Sequence, residues 1–287
     1  METSVSTADK ITPRDPGFSF DTSLPVNWHS RNPVISQFYN GLSLTFPEGE
    51  RFFVDSVRHF HSQITDPRLS EDIRGFIGQE TIHSREHVAY NRFLAAKGLR
   101  PEPLEAGVRF GMKLTRKLSG KMQLAFTCAI EHYTALFAEV VLADPRTMEN
   151  AHPDFANVWR WHAMEEAEHK AVAFDVHKAV DPGFGGYLRR CLAMTITTTN
   201  FNLISLFHTL YLLAQAGDLF RARAWAHAAR YFWGKPGVWR RVLAGVPAYY
   251  RPSFHPNNQN TDELVARWRN WYNSQLQPPA PPTHPTP

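Results

Sequence analysis

Cysteine is nearly absent from this 287-residue chain: only Cys128 and Cys191 occur, too few for a disulfide framework or a structural zinc ribbon. That scarcity points to a reducing compartment and leaves histidine and carboxylate side chains as the metal-binding repertoire. There is no Gly-x-Ser-x-Gly stretch and no glycine-rich phosphate loop, so a serine nucleophile elbow and a P-loop are excluded. No run alternates apolar and polar residues as a strand would, and no internal repeat occurs. The opening residues, METSVSTADKITPRDPG, have neither the apolar core of a signal peptide nor the arginine-rich character of a transit peptide, so a cytoplasmic location is expected. The formal charge is only +4, and the 31 basic residues are spread along the chain, which argues against a nucleic-acid partner.

Charge is also missing from Cys191 to Gly217. That length could cross a bilayer, but Thr195, Thr197, Thr198, Thr199, Asn200, Asn202, Ser205, His208 and Gln215 load it with polar groups. A buried helix lining a cavity accommodates them better, with peripheral membrane contact as the alternative. A pocket lined by Met194, Phe201, Ile204, Phe207 and Leu210 would favour a largely apolar substrate, oriented by Thr198, Asn202 and His208.

What is abundant is helix-forming sequence with a substantial core, 43% apolar and 13% aromatic, and fourteen histidines. Residues 1–30 and the proline-rich 277–287 read as flexible ends, and 31–276 as a single all-α domain. Pro47 opens one helix and Asp66-Pro67 begins a second, expected from about 69 to 96. A basic amphipathic helix over roughly 102–118 carries Arg109, Lys113, Arg116 and Lys117, with Lys121 beyond it; this face is solvated, or docks an acidic reductase or anionic lipid. A third long helix covers about 121–142. The fourth is expected to run unbroken from near 152 to Val180, where Asp181-Pro182-Gly183 ends it. The fold class expected is a ferritin-like four-helix bundle with additional C-terminal helices.

Two of these helices carry Glu-x-x-His: Glu80 with His83, and Glu166 with His169. Residues at i and i+3 share a helix face, so each pair can present two donors to one point. Either pair alone is commonplace on a solvated helix. Glu50 on the first helix and Glu131 on the third complete the order Glu, Glu-x-x-His, Glu, Glu-x-x-His, which is the donor pattern of carboxylate-bridged two-metal bundles. Glu80 and Glu131 sit among apolar neighbours, where an unpaired carboxylate is costly and a metal cation would compensate it. His162, four residues before Glu166, extends the stripe and is a further candidate ligand. Glu165 competes with Glu166, as does Glu168, and Glu139 lies two turns beyond Glu131. His87 reads as a surface histidine or a partner to the ligands, His132 points elsewhere, and His59 and His61 have no partner pattern.

The stretches FPEGERFF, QETIHSREH, EHYTA and WHAMEEAEHKAVAFDVH, with FHPN at 254–257, resemble the bacterial family of predicted metal-dependent hydrolases over about 31–260. The His162, Glu166, His169 spacing is also similar to the p-aminobenzoate N-oxygenase type of di-iron protein. The resemblance implies Glu50, Glu80, His83, Glu131, His162, Glu166 and His169 as metal ligands. The expected function is di-metal oxidation of a small apolar substrate with O2, with iron as the metal and manganese or a mixed Mn/Fe pair as alternatives. A reductase would then be a partner. Hydrolysis by the two metals, or metal binding without catalysis, are the competing readings.

Overall fold

The computed structural model describes residues 10–276. Within them the chain is all-α, with no strand beyond a single bridge between His29 and Ala151. A first helix not anticipated from the sequence, α1 (Pro33–Ser43), starts where the Asn32 side chain accepts from the Ile35 amide. It is followed by α2 (Phe46–Arg58), α3 (Pro67–Ala96), α4 (Glu102–Thr115) and α5 (Gly120–Ala143). Asp66 caps α3 by accepting from the Arg68 and Leu69 amides, with Pro67 at the first turn. Ser119 caps α5 through the Met122 amide.

The fourth long helix is not continuous. It divides into α6 (Pro153–His169) and α7 (Val172–Val180), breaking directly after His169 at a point with no glycine or proline. The break coincides with Lys170, whose buried ammonium donates to Gln259 O at 2.7 Å and Thr261 Oγ1 at 2.8 Å, contacts supplied from far along the chain. The uncharged segment lies within α8 (Gly183–Gln215), and α9 (Ala222–Ala229), α10 (Val238–Gly245) and α11 (Asp262–Gln275) complete the fold.

Helix α2 packs on α3 and α5 packs on α6, giving the four helices of the central bundle. Hydrogen bonds pair Ser43 with Asn91, Pro47 with Ser84 and His61 with Ser70, so α2 runs antiparallel to α3. Helix α8 covers α5 and α1, while α10 lies on α5 and α11 on α6. Helix α5 is the one described helix long and apolar enough to cross a membrane, and 72% of its apolar window is buried in the bundle.

The N-terminal boundary expected at residue 31 shifts. Residues 1–9 and 277–287 lie outside the described residues, but from Lys10 onward the chain is laid along the bundle. Ile11 and Trp28 are buried, and a Cβ on Gly75 would stand 2.5 Å from Ile11 O, so α3 admits this segment only because glycine occupies that position. Arg14 then reaches α6 and the Phe18 amide donates to Glu86 on α3. Polar and proline-rich composition suggested flexibility; these tertiary contacts hold residues 10–30 in place.

Candidate metal centre

Each bundle helix places its carboxylate or Glu-x-x-His pair toward the same interior point. All seven residues expected as ligands are buried and fall into groups whose donor atoms lie within 4.8 Å of one another. One group is Glu80, Glu131, Glu166 and His169. The others are Glu50, Glu80 and His83; His83, His162 and Glu166; and Glu50, His87 and His162. His87 therefore joins the cluster. His83 and His162 stack with ring centroids 4.2 Å apart. Glu139 belongs to none of these groups, and His132 packs instead against Tyr249 and Phe254.

The choice between adjacent glutamates on α6 is resolved by what each meets. Glu165 and Glu168 turn away from the centre to Arg14, which donates to them at 3.0 and 2.7 Å. Glu166 faces inward and approaches His169 Nε2 at 3.5 Å.

Nine donor atoms at the centre are buried without a hydrogen-bond partner: both oxygens of Glu50, Glu80 and Glu131, Glu166 Oε2, His83 Nδ1 and His169 Nε2. His169 Nε2 lies 3.0 Å from Glu80 Oε1 and 3.3 Å from Glu131 Oε2, yet neither approach has hydrogen-bond alignment. Buried polar atoms are normally paired, and leaving one unpaired costs ~1–3 kcal/mol or more. Converging lone pairs of this kind fit a cation.

The far side of each histidine supports the same conclusion, because a hydrogen-bond network fixes which ring nitrogen carries the proton. Gln79 Nε2 donates to Thr12 O at 3.2 Å and Glu168 Oε2 at 2.8 Å, so its Oε1 accepts from His169 Nδ1 at 2.9 Å. That leaves the His169 Nε2 lone pair facing the carboxylates. His83 Nε2 meets Glu165 Oε2 at 3.0 Å, which frees Nδ1 toward Glu166 Oε1 at 3.6 Å. Burial pushes the Glu165 carboxyl up to about 8 against the pull of Arg14, and Oε2 accepts from His83 when that carboxyl is ionised.

For His162 the chain of donors is longer. Asn91 Nδ2 donates to Glu105, so Asn91 Oδ1 accepts from Ser43 Oγ, which in turn accepts from His87 Nδ1. His87 Nε2 then accepts from His162 Nδ1 at 2.7 Å, and the His162 Nε2 lone pair faces Glu166 Oε1 at 2.8 Å. Two acceptors face each other there, an arrangement satisfied by a shared proton or by a metal ion.

Burial, reinforced by the neighbouring carboxylates, raises Glu50 and Glu80 well above the usual carboxyl range and Glu131 to about 7. Burial opposes charge on Glu166 and His169 as well, but their mutual attraction wins: Glu166 is held well below its ordinary value and His169 well above. A proton on His169 and a metal ion are alternatives for one lone pair.

An apolar cavity of about 550 Å³ lies beside the centre, between α2, α4, α5 and α8. A small inner pocket of about 20 Å³ touches His162 and Glu166 and shares Phe46, Thr134 and Phe201 with that cavity, so these three side chains form the partition. Phe46 also packs against His87 and His162, with centroids 4.5 and 4.6 Å away. Of the residues expected to line a pocket, Phe201, Ile204, Phe207 and His208 do so. Met194 is instead fully buried, Leu210 lies outside the lining, and Thr198 and Asn202 bond to Met194 and Trp239.

Arg14, Thr12, Gln79, Ser43, Asn91 and Glu105 support the centre, and none was singled out in the sequence. Only Gln79 carried a local signal, its place beside Glu80. No curated protein and no solved structure matches this chain. A family model matches residues 12–260, and the description attached to it names hydrolysis rather than the oxidation expected first. With candidate metal-ligating clusters at its core and that match across most of its length, the chain belongs to the family described as predicted metal-dependent hydrolases.

Proposed function

We propose that the chain is an enzyme built on two transition-metal ions in a ferritin-like arrangement, acting on a substrate whose apolar body lies in the adjoining cavity. The observation that carries this proposal is the set of nine converging donor atoms without hydrogen-bond partners. Glu80 and Glu166 are the carboxylates that share one donor group with His169 and another with His83, which makes them candidates to serve both ions. Glu131 and His169 would complete one side; Glu50, His83 and His162 would complete the other. Four carboxylates match the charge of two divalent cations, offsetting the penalty for burying them. Mixed imidazole and carboxylate donors suit iron or manganese.

Bound ions of this kind supply either a nucleophile drawn from water with polarisation of the scissile group, or a place for O2 to oxidise the substrate. Hydrolysis is the reaction named by the family description, and the comparison supports it. Oxidation has one structural argument of its own: the partition and the cavity wall beside it carry Phe46, Phe52, Phe53, Phe126 and Phe201, suited to a hydrocarbon. In both cases the apolar walls exclude water, Phe46, Thr134 and Phe201 control approach to the centre, and His87 holds the proton of His162 at Nδ1.

Metal analysis of protein purified from iron-replete and manganese-replete cultures is expected to find close to two ions per chain. Long-chain ester cleavage and O2 uptake, measured side by side on the loaded protein, then separate the reactions. Metal-stimulated cleavage is the expected result. Rapid O2 uptake without cleavage would reassign the chemistry to oxidation, and a protein that loads no metal would refute the centre.

A further inference from the structure

An apolar surface is left uncovered by the described residues. On α8, Phe184, Leu188, Leu192, Ile196, Leu203 and Phe207 recur at helical spacing and are exposed, a stripe of about 35 Å at 1.5 Å per residue. Phe110, Leu114 and Leu118 form a second exposed row on and just beyond α4. Apolar exposure continuous over two elements marks an interaction site. The two rows flank the cavity: Leu114, Ile204 and Phe207 are 46%, 39% and 60% exposed and also line it.

The unpaired charges on the segments that carry the two rows are basic. Lys113 on α4 and Lys117 just beyond it lie beside the Phe110 row and make no ion pair among the described residues, while Arg109 reaches Glu48 only at 3.8 Å and Arg116 pairs with Asp55 at 2.8 Å. No aspartate or glutamate occurs between Glu105 and Glu131, nor between Asp181 and Asp218, the segments that build both rows. A second copy of the chain on the same face would set its lysines against segments that carry no carboxylate, the neighbouring Glu48 and Asp55 being already paired with Arg51 and Arg116. Exposed Thr199 and Asn200 interrupt the α8 stripe, which suits a helix lying in an interface better than one crossing it.

We propose that the α4–α8 face docks on an anionic phospholipid surface, with its apolar rows in the headgroup boundary, and that the cavity mouth between them admits an acyl chain from that surface. The docking stands on the exposed rows and the lysines alone. The acyl chain as substrate rests on the two-metal reading above. Interfacial helices combine buried apolar side chains with basic residues that are drawn to an anionic surface.

The test is co-sedimentation of the purified full chain with phosphatidylcholine vesicles, with and without phosphatidylglycerol, at low and high salt. Binding should require the anionic lipid and weaken with salt. Phe110→Glu with Leu203→Glu, neither of which lines the cavity, should lower partitioning at least tenfold with helical circular dichroism unchanged. Lys113→Glu with Lys117→Glu should do the same without touching the apolar rows. Equal partitioning of parent and variants, or no partitioning of the parent, would overturn the proposal. So would a solution dimer that the Phe110→Glu, Leu203→Glu variant dissociates, since a second copy would then cover the face. Metal content read on the same samples separates the two ideas: metal-replete protein indifferent to vesicles refutes the docking face, whereas vesicle-binding protein that loads no metal refutes only the function.

Discussion

Replacing Gln79 by leucine tests whether residues outside the cluster prepare it for metal. Gln79 is fully buried and donates to Thr12 O and Glu168 Oε2, which leaves its Oε1 as the acceptor for His169 Nδ1 at 2.9 Å. Leucine keeps most of the volume and removes that acceptor, so the His169 Nδ1 proton is stranded in a ring that is itself 0% exposed. An unpaired buried donor costs ~1–3 kcal/mol. The ring can relieve this by moving its proton to Nε2, which consumes the lone pair facing Glu80, Glu131 and Glu166. Metal affinity should then fall by ~10–100-fold, the usual effect of losing an outer partner, equivalent to ~1.4–2.8 kcal/mol. Chelator competition on manganese-loaded protein measures the loss, and urea unfolding of the metal-free protein measures stability separately. Gln79→Glu keeps an acceptor for His169 and, protonated on the oxygen that faces Thr12 O and Glu168 Oε2, should retain most of the affinity. A leucine variant that binds metal as tightly as the parent, whatever its stability, would refute the tautomer argument.

Glu80→Ala should remove more metal than Glu131→Ala, because Glu80 belongs to two donor groups and Glu131 to one; equal losses by elemental analysis would argue against a bridging Glu80. His162→Ala should keep the helical fold and at least one ion while lowering nitrogen coordination in metal-edge spectra, and unchanged spectra would show that His162 does not bind metal. Phe46→Ala should widen the path between the large cavity and the centre and shift substrate preference toward bulkier chains, with metal content as the control. Burial lowers the His29 pKa from 6.5 to about 4, so the unfolded chain takes up this proton first as pH falls. The contribution of neutral His29 is complete above pH ~6.5 and lost toward pH ~4, by up to about 3 kcal/mol. Urea unfolding of metal-free His29→Gln should therefore be less pH-dependent over that window than the parent, and identical slopes would contradict the assignment.

The sequence by itself determined the helical class, three of the four bundle helices to within a few residues, and the shared helix faces of Glu80 with His83 and of His162, Glu166 and His169. These follow from local geometry: caps and prolines set helix ends, and i, i+3 and i, i+4 spacing sets a shared face regardless of distant packing. Tertiary structure decided the rest. The break after His169 accompanies contacts from Lys170 to residues about ninety positions away, and the order of residues 10–30 depends on Gly75 and on acceptors presented by α3 and α6. Glu166 rather than Glu165 faces the centre because Arg14 meets Glu165 from outside. The tautomers of His83, His162 and His169 depend on partners from other segments, such as Gln79 for His169 and the Ser43–His87 link for His162. Periodicity specifies which side chains share a face; which partner each one meets is settled only when those faces pack together.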